Sequence, residues 1–337
     1  MGSVNVVIEL ILVLLISILV VFLSALLFVN SIEFLGSTYN IGGSFIGTIL
    51  SPLFTSLPEL IVLLVAIFGL GGTSGEAIGV GTIFGEPLMA SSLSYGLVGL
   101  VALAGYYLKK RKSASLQVST TLIVPFVFVT VLFPLALVPS LFAEVGVRIV
   151  FGIGFLCAYF VYVLLMYRRK SLGKVETTSP PYLCRIIPYE RAGGFVQLIV
   201  SAVILYFAAR EMVTVVSEVA LGLGLSLMGI SIIIVPAATA VPETASALIW
   251  CFRGKDTLSI ASLVGEKVLY ATLFPGLGML LTTWVVDVHA YLSVFATTSV
   301  SLLMLFFVSR KKIPWYGLTF GLLFFLAYSI IVFWFKA

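Results

Sequence analysis

Charge is what this sequence most lacks. Only 10% of its 337 residues are Asp, Glu, Lys or Arg, 61% are hydrophobic, and the mean hydropathy is +1.22. A soluble domain carries about 25% charged and about 45–50% apolar residues, so a soluble fold is excluded. A single histidine, His289, leaves no His cluster for a metal centre or for nucleophilic catalysis. Cys157, Cys184 and Cys251 share no metal-ligand spacing and read as isolated apolar-flanked cysteines. The Gly-rich stretch "GLGGTSGEAIGVG" at 69–81 lacks the lysine of a nucleotide-binding loop. A membrane-embedded enzyme is therefore the weakest of the alternative readings. The net charge of +5 is no sign of nucleic-acid binding, because the basic residues fall where membrane topology places them.

What is present is a succession of apolar runs, each of about 20 residues, the length of a membrane-spanning helix. They predict an all-α polytopic membrane protein of ten spans, near 4–29, 41–69, 77–108, 116–138, 144–167, 192–210, 220–251, 257–284, 288–309 and 314–335. The runs are continuously apolar over far more than ten residues, which rules out the alternating strands of a membrane β-barrel. The first run is too long for a signal-peptide core and has no basic region before it, so it reads as a mature span.

The basic residues test this division. Lys109, Lys110, Arg111 and Lys112 follow the third span. Arg168, Arg169, Lys170, Lys174, Arg185 and Arg191 follow the fifth, Arg253 and Lys255 the seventh, and Arg310, Lys311 and Lys312 the ninth. Fifteen of the nineteen basic residues thus fall on one face. Cytoplasmic loops collect Lys and Arg, so that face is predicted to be cytoplasmic in the cell membrane, with both termini outside. Residues 168–191 form a linker between a first five-helix repeat, 1–167, and a second, 192–337.

The halves repeat each other. A shift of 184 residues lays "PLFTSLPE" on "PAATAVPE", matching Pro52 with Pro236, Thr55 with Thr239, Pro58 with Pro242 and Glu59 with Glu243. A shift of 180 lays "GEP" at 85–87 on "GEK" at 265–267. Because five is odd, the second copy enters the membrane from the opposite side, giving the inverted repeats common in secondary transporters. Their ions bind near the midplane, on helices broken by Gly or Pro, where a ligand or a cavity satisfies the loosened backbone.

Ionisable side chains inside spans are costly, and by default they mark function. Glu59, Glu86, Glu243 and Glu266 lie inside the runs and belong to the repeat. Four carboxylates meeting at a pseudo-two-fold axis need a cation or protons. Hard divalent cations take six to eight oxygen ligands, and oxygens are at hand on Thr55, Ser56, Thr239, Thr82 and Ser262. Thr82 and Ser262 precede Glu86 and Glu266 by four residues, on the same helix face. Lys267 is the only basic residue in such company: its charge would either pair with Glu86 and Glu266 or replace a bound monovalent cation. Glu9 and Arg148 read as interfacial anchors.

The segments "GTILSPLFTSLPELIV" (47–62), "GISIIIVPAATAVPETAS" (229–246), "GVGTIFGEPLMAS" (79–91) and "SIASLVGEKVLYAT" (259–272) resemble the α-repeats of the cation/Ca²⁺ exchanger superfamily, which includes the Na⁺/Ca²⁺ exchangers. The resemblance implies that Glu59 and Glu243 are the central cation ligands, assisted by Thr55, Ser56 and Thr239. It also implies alternating access, with the first and sixth helices sliding across the other eight. The later segment departs from the family's G-N-x-x-G-S-N: Thr82 and Ser262 replace Asn or Asp, Glu86 and Glu266 replace Ser, and Pro87 and Lys267 replace Asn. Ala240 replaces the serine of the second T-S pair. The expected activity is exchange of a divalent cation, Ca²⁺ foremost, for Na⁺ or H⁺, with inorganic cations and the lipid bilayer as partners, no cofactor and no nucleic acid. Protons are a credible counter-ion because burial favours the neutral form of a carboxyl group. A channel on the same repeat is the rival class, and a two-repeat chain with a midplane site suits it less well.

Overall fold

Apolar residues on every side of a helix leave nothing to face water, and prolines, glycines and short loops decide where each helix stops. The computed structural model describes residues 2–38, 53, 55–168, 180–185, 187 and 189–334. Pro52, Arg169, Lys170, Lys174, most of the 168–191 linker and the predicted start of the second span at 41–52 lie outside these.

The helices are α1 (Gly2–Thr38), α2 (Leu57–Leu64, widening into a π-helical turn at Val65–Leu70), α3 (Gly72–Met89), α4 (Tyr95–Tyr107), α5 (Ile123–Leu135), α6 (Val145–Arg168) and α7 (Glu190–Leu223). There follow α8 (Leu227–Thr239), α9 (Val241–Phe252), α10 (Asp256–Tyr270), α11 (Leu273–Leu281), α12 (Val288–Ser309), α13 (Trp315–Thr319) and α14 (Gly321–Trp334). Among the described residues eight helical runs are long and apolar enough to cross a membrane, or nine if the bent α8–α9 pair is one span. The chain is a multi-pass membrane protein.

Three elements differ from the sequence reading. The first helix does not end at residue 29 but runs on to Thr38. The sixth span does not end at residue 210. Its helix continues to Leu223, because Met212, Val213, Val215, Val216 and Ala220 extend its buried face past the polar pair Arg210 and Glu211. The seventh run is not one helix but two, α8 and α9, which meet at 58°.

The prolines work differently from one another. Pro58 and Pro242 stand in the first turns of α2 and α9, where no intrahelical partner is needed for the missing N–H. They begin helices instead of kinking them. Pro236 lies inside α8 and leaves the Ile232 carbonyl without its helical donor. The third span is also irregular, since a π-helical segment at Ala90–Ser94 joins α3 to α4. The eighth breaks at Ala271 and Thr272, between α10 and α11.

Two apolar cores hold the bundle. The larger joins α3, α4, α5, α6, α10 and α12 around Phe84, Phe126, Phe133, Tyr270 and Trp284. The smaller is aliphatic and lies where α1 and α7, packed along each other, meet α2, α3 and α8, through Val21, Val62, Ala66, Ile78, Ala209, Val213 and Ala238.

Loops at the two ends are tied across the halves. At one end, strands β1 (Leu116–Gln117) and β2 (Lys312–Ile313) pair antiparallel. There Arg111 forms a buried 2.7 Å ion pair with Asp256, angled too poorly for a hydrogen bond, and Asp256 also accepts from the Gln117 amide. Three basic clusters, 109–112, 253–255 and 310–312, therefore share one end of the bundle. At the other end of α12, Glu76 accepts from the amide and hydroxyl of Thr283, and Asp287 accepts from Ser226.

Candidate cation site

The four acids come together. One carboxylate oxygen each from Glu59, Glu243 and Glu266 lies within 4.8 Å of the others. Glu86 is their close electrostatic neighbour. All four are buried, Glu243 the least at 7% exposed.

Each acid is placed by a local device. Glu59 and Glu243 occupy the first turns of α2 and α9, where unpaired amide groups and the helix dipole favour negative charge. Glu86 and Glu266 project from near the C-terminal ends of α3 and α10, beside the irregular turns that follow them. Gly85 brings α3 against the weak point of α8: a Cβ there would lie 2.5 Å from the Ile232 carbonyl oxygen and 2.8 Å from the Pro236 side chain. No other residue allows that approach, which sets Glu86 beside the α8–α9 break. At the α2–α3 turn, Gly71 and Gly72 take φ of 70° and 60°, a region that costs an L side chain strain.

The hydroxyls divide into two groups. Thr239 stands beside Glu59 and Thr55 beside Glu243, each crossing to the acid of the other half. The Thr239 hydroxyl donates to Val235 O at 3.1 Å, so its lone pairs are what it offers to the site. Ser56 is buried at the start of α2. Thr82 and Ser262 donate to their own helices, at Ile78 O and Ser259 O, and neither hydrogen-bonds a carboxylate. Among the described residues, no carboxylate oxygen of Glu59, Glu86, Glu243 or Glu266 receives a well-formed hydrogen bond; the donor groups nearest to them are the Thr239 hydroxyl and helix-start amide at Glu59, and the Thr55 hydroxyl and helix-start amide at Glu243.

Lys267 does not pair with Glu86 or Glu266. One position along a helix turns a side chain by about 100°, and the ammonium points away, donating to Ser91 and Ser301. Tyr270 was missed by the sequence reading. Among the described residues its buried hydroxyl has no hydrogen-bond partner, and it is an electrostatic neighbour of all four acids. The available signal was its place four residues after Glu266, on the same helix face.

Eight oxygens on four buried carboxylates, with no cationic side chain paired to them among the described residues, form a set of acceptors for cations or protons. A multi-pass helical bundle enclosing such a set defines an ion-transporting membrane protein. Residues 9–168 and 193–336 match the sodium/calcium exchanger protein family, and the chain belongs to it. It is a membrane transporter and not an enzyme. No curated protein matches it in sequence. Its fold is similar to that of the H⁺/Ca²⁺ exchanger CAX, at 16% identity over 97% of this chain and 86% of that one, with a TM-score of 0.72. It is similar to YfkE at 17% identity over 98% and 95%, TM-score 0.69. It is also similar to the sodium-calcium exchanger NCX_Mj, at 18% identity over 97% and 98%, TM-score 0.59.

Proposed function

We propose that the chain is a secondary active antiporter that exchanges a divalent cation, Ca²⁺ foremost, for H⁺ or Na⁺ by alternating access. Glu59, Glu243, Glu266 and Glu86 are the charged ligands, with Thr55, Ser56 and Thr239 supplying further oxygens. Thr82 and Ser262 brace the helices one turn away.

The carrying observation is the spacing of Glu59, Glu243 and Glu266. An ion centred among oxygens no more than 4.8 Å apart is within about 2.8 Å of each. Contraction by a few tenths of an ångström reaches the roughly 2.3–2.6 Å of Ca²⁺–oxygen bonds, whereas Mg²⁺ demands about 2.0–2.1 Å and a stricter geometry. Empty and fully ionised, the cluster repels itself. Either a divalent cation or its replacements must fill it before it reorients, and this couples the two fluxes.

Membership of the sodium/calcium exchanger family, together with the fold shared with the H⁺/Ca²⁺ exchanger CAX and the sodium-calcium exchanger NCX_Mj, supports antiport and leaves both counter-ions in play. The all-carboxylate donor set favours protons, since each carboxyl group takes one directly. The T-S-x-P-E segment at 55–59 favours Na⁺, so both are tested. In this reading the chain has ten spans in two inverted repeats, 1–167 and 192–337, with the basic loops cytoplasmic and both termini outside. α1 and α7 move as a pair, linked by Gln197 to Leu27 O and Asn30, over an aliphatic interface.

The test is uptake of Ca²⁺, Mg²⁺ and Mn²⁺ by proteoliposomes under imposed Na⁺ and, separately, H⁺ gradients. Ca²⁺ uptake driven by one gradient and lost in Glu59→Gln and Glu243→Gln is expected. Undiminished transport of every cation by both variants would overturn the site. A pore instead of a carrier would show no counterflow of labelled cation.

A further inference from the structure

Lys267 presents a separate problem. Its side chain is fully buried, and among the described residues no acid pairs with it. An ammonium in that position loses its hydration, which is expensive unless something replaces it.

The replacement is a shell of two hydroxyls and two aromatic rings. Nζ donates to Ser91 Oγ at 2.9 Å and to Ser301 Oγ at 3.1 Å. It also lies 4.7 Å from the centre of the Tyr95 ring and 5.4 Å from that of Phe126, where the negative faces of the rings attract a cation. Ser91, Tyr95, Phe126 and Ser301 are all fully buried. One turn before Ser301, Thr297 carries a buried hydroxyl with no hydrogen-bond partner among the described residues. Four elements build this pocket: the π-helical segment, α4, α5 and α12.

Two hydroxyl oxygens and two aromatic faces, closed off from water, form the surroundings of a small monovalent cation. We propose that the pocket is a monovalent-cation site filled permanently by the chain's own Lys267 ammonium. The tethered charge spares the protein a soluble ion there. Replacing Lys267 with a short side chain would open the pocket to ammonium, K⁺ or Na⁺. The repeat-related position holds Pro87, so the site exists in one half only. The inference stands apart from the transport reading, because it concerns occupancy of a second pocket and is tested by stability.

The experiment compares thermal unfolding of the purified detergent-solubilised parent, Lys267→Ala, Lys267→Ser and Lys267→Met in ammonium, potassium, sodium and choline chlorides at equal ionic strength. The parent should unfold at the same temperature in ammonium, potassium and choline. Lys267→Ala in choline should melt lower by roughly 5 °C or more, and should regain most of the loss saturably with ammonium or K⁺. Lys267→Ser, whose hydroxyl adds an oxygen to the opened pocket, should respond at least as well. Lys267→Met fills the space with an apolar chain and should not respond. Recovery of the Ala and Ser variants only when ammonium or K⁺ is supplied during purification would equally support the site. The proposal fails if neither variant responds to any of the cations, if Lys267→Met responds as they do, or if neither can be recovered in any of the salts. Because the readout is stability, failure here leaves the antiport reading standing, and loss of transport in the carboxylate variants leaves this one standing.

Discussion

Replacing Glu243 with glutamine keeps the size of the side chain and removes its charge, which makes opposite predictions for the empty and the loaded protein. With oxygens no more than 4.8 Å apart and an effective dielectric constant of about 20, each ionised pair among Glu59, Glu243 and Glu266 repels by at least about 3.5 kcal/mol. Three pairs amount to about 10 kcal/mol, within the range of about 5–15 kcal/mol that is the entire net stability of a typical domain. Glu243→Gln removes two of them, about 7 kcal/mol. In chelator at alkaline pH the variant should therefore unfold at a higher temperature than the parent. The same change deletes one charged ligand. Removing one partner of a buried charge contact costs about 3–5 kcal/mol, so divalent affinity should fall at least about 100-fold. At a Ca²⁺ concentration 100 times its dissociation constant the parent gains about 2.7 kcal/mol, and at that same concentration the variant gains only about 0.4 kcal/mol or less. Thermal unfolding with chelator and with Ca²⁺ measures both effects. A variant that keeps the parent's Ca²⁺-induced shift, or that is less stable than the parent in chelator, would refute the reasoning.

Two further outcomes concern the ends of the bundle. Asp256→Asn leaves the Arg111 guanidinium buried without its carboxylate and should cost about 3–5 kcal/mol of stability; the double variant Arg111→Met/Asp256→Leu should recover most of it in denaturant titrations, and no recovery would show that the charge pair is not what holds these loops. Asp287 lies outside the spans. Partial burial works to raise its pKa, but hydrogen bonds from His289 and Ser226 outweigh this and hold it below the usual 3.8. A depressed carboxylate contributes stability above its unfolded pKa and loses it as pH falls through the folded one. Below about pH 4, Asp287→Asn should therefore lose less stability than the parent in unfolding curves recorded from pH 7 to pH 3; parallel curves would contradict this.

Much of the protein is written locally. Continuous apolar runs specify spans because a helix in lipid must satisfy its own backbone. The Pro–Glu pairs mark interruptions of the spans, and the repeat of "PLFTSLPE" in "PAATAVPE" singles out Glu59 and Glu243 without any knowledge of contacts. Glu86 and Glu266 stand out for the same reason, as charges where charges are costly. The extension of α7 to Leu223 was harder to read, since Arg210 and Glu211 look like a loop until the buried face beyond them is seen.

The packing of the helices decided the rest. Neighbouring residues on one helix point to different partners, so Glu266 joins Glu59 and Glu243 while Lys267 enters a pocket of serines and aromatic rings drawn from both halves. Arg111, one of four consecutive basic residues at 109–112, is instead a buried clamp on Asp256, 145 positions along the chain. Local sequence determines which residues are too costly to bury without a reason. Only the tertiary structure determines which of those costs cancel one another and which are left for an ion.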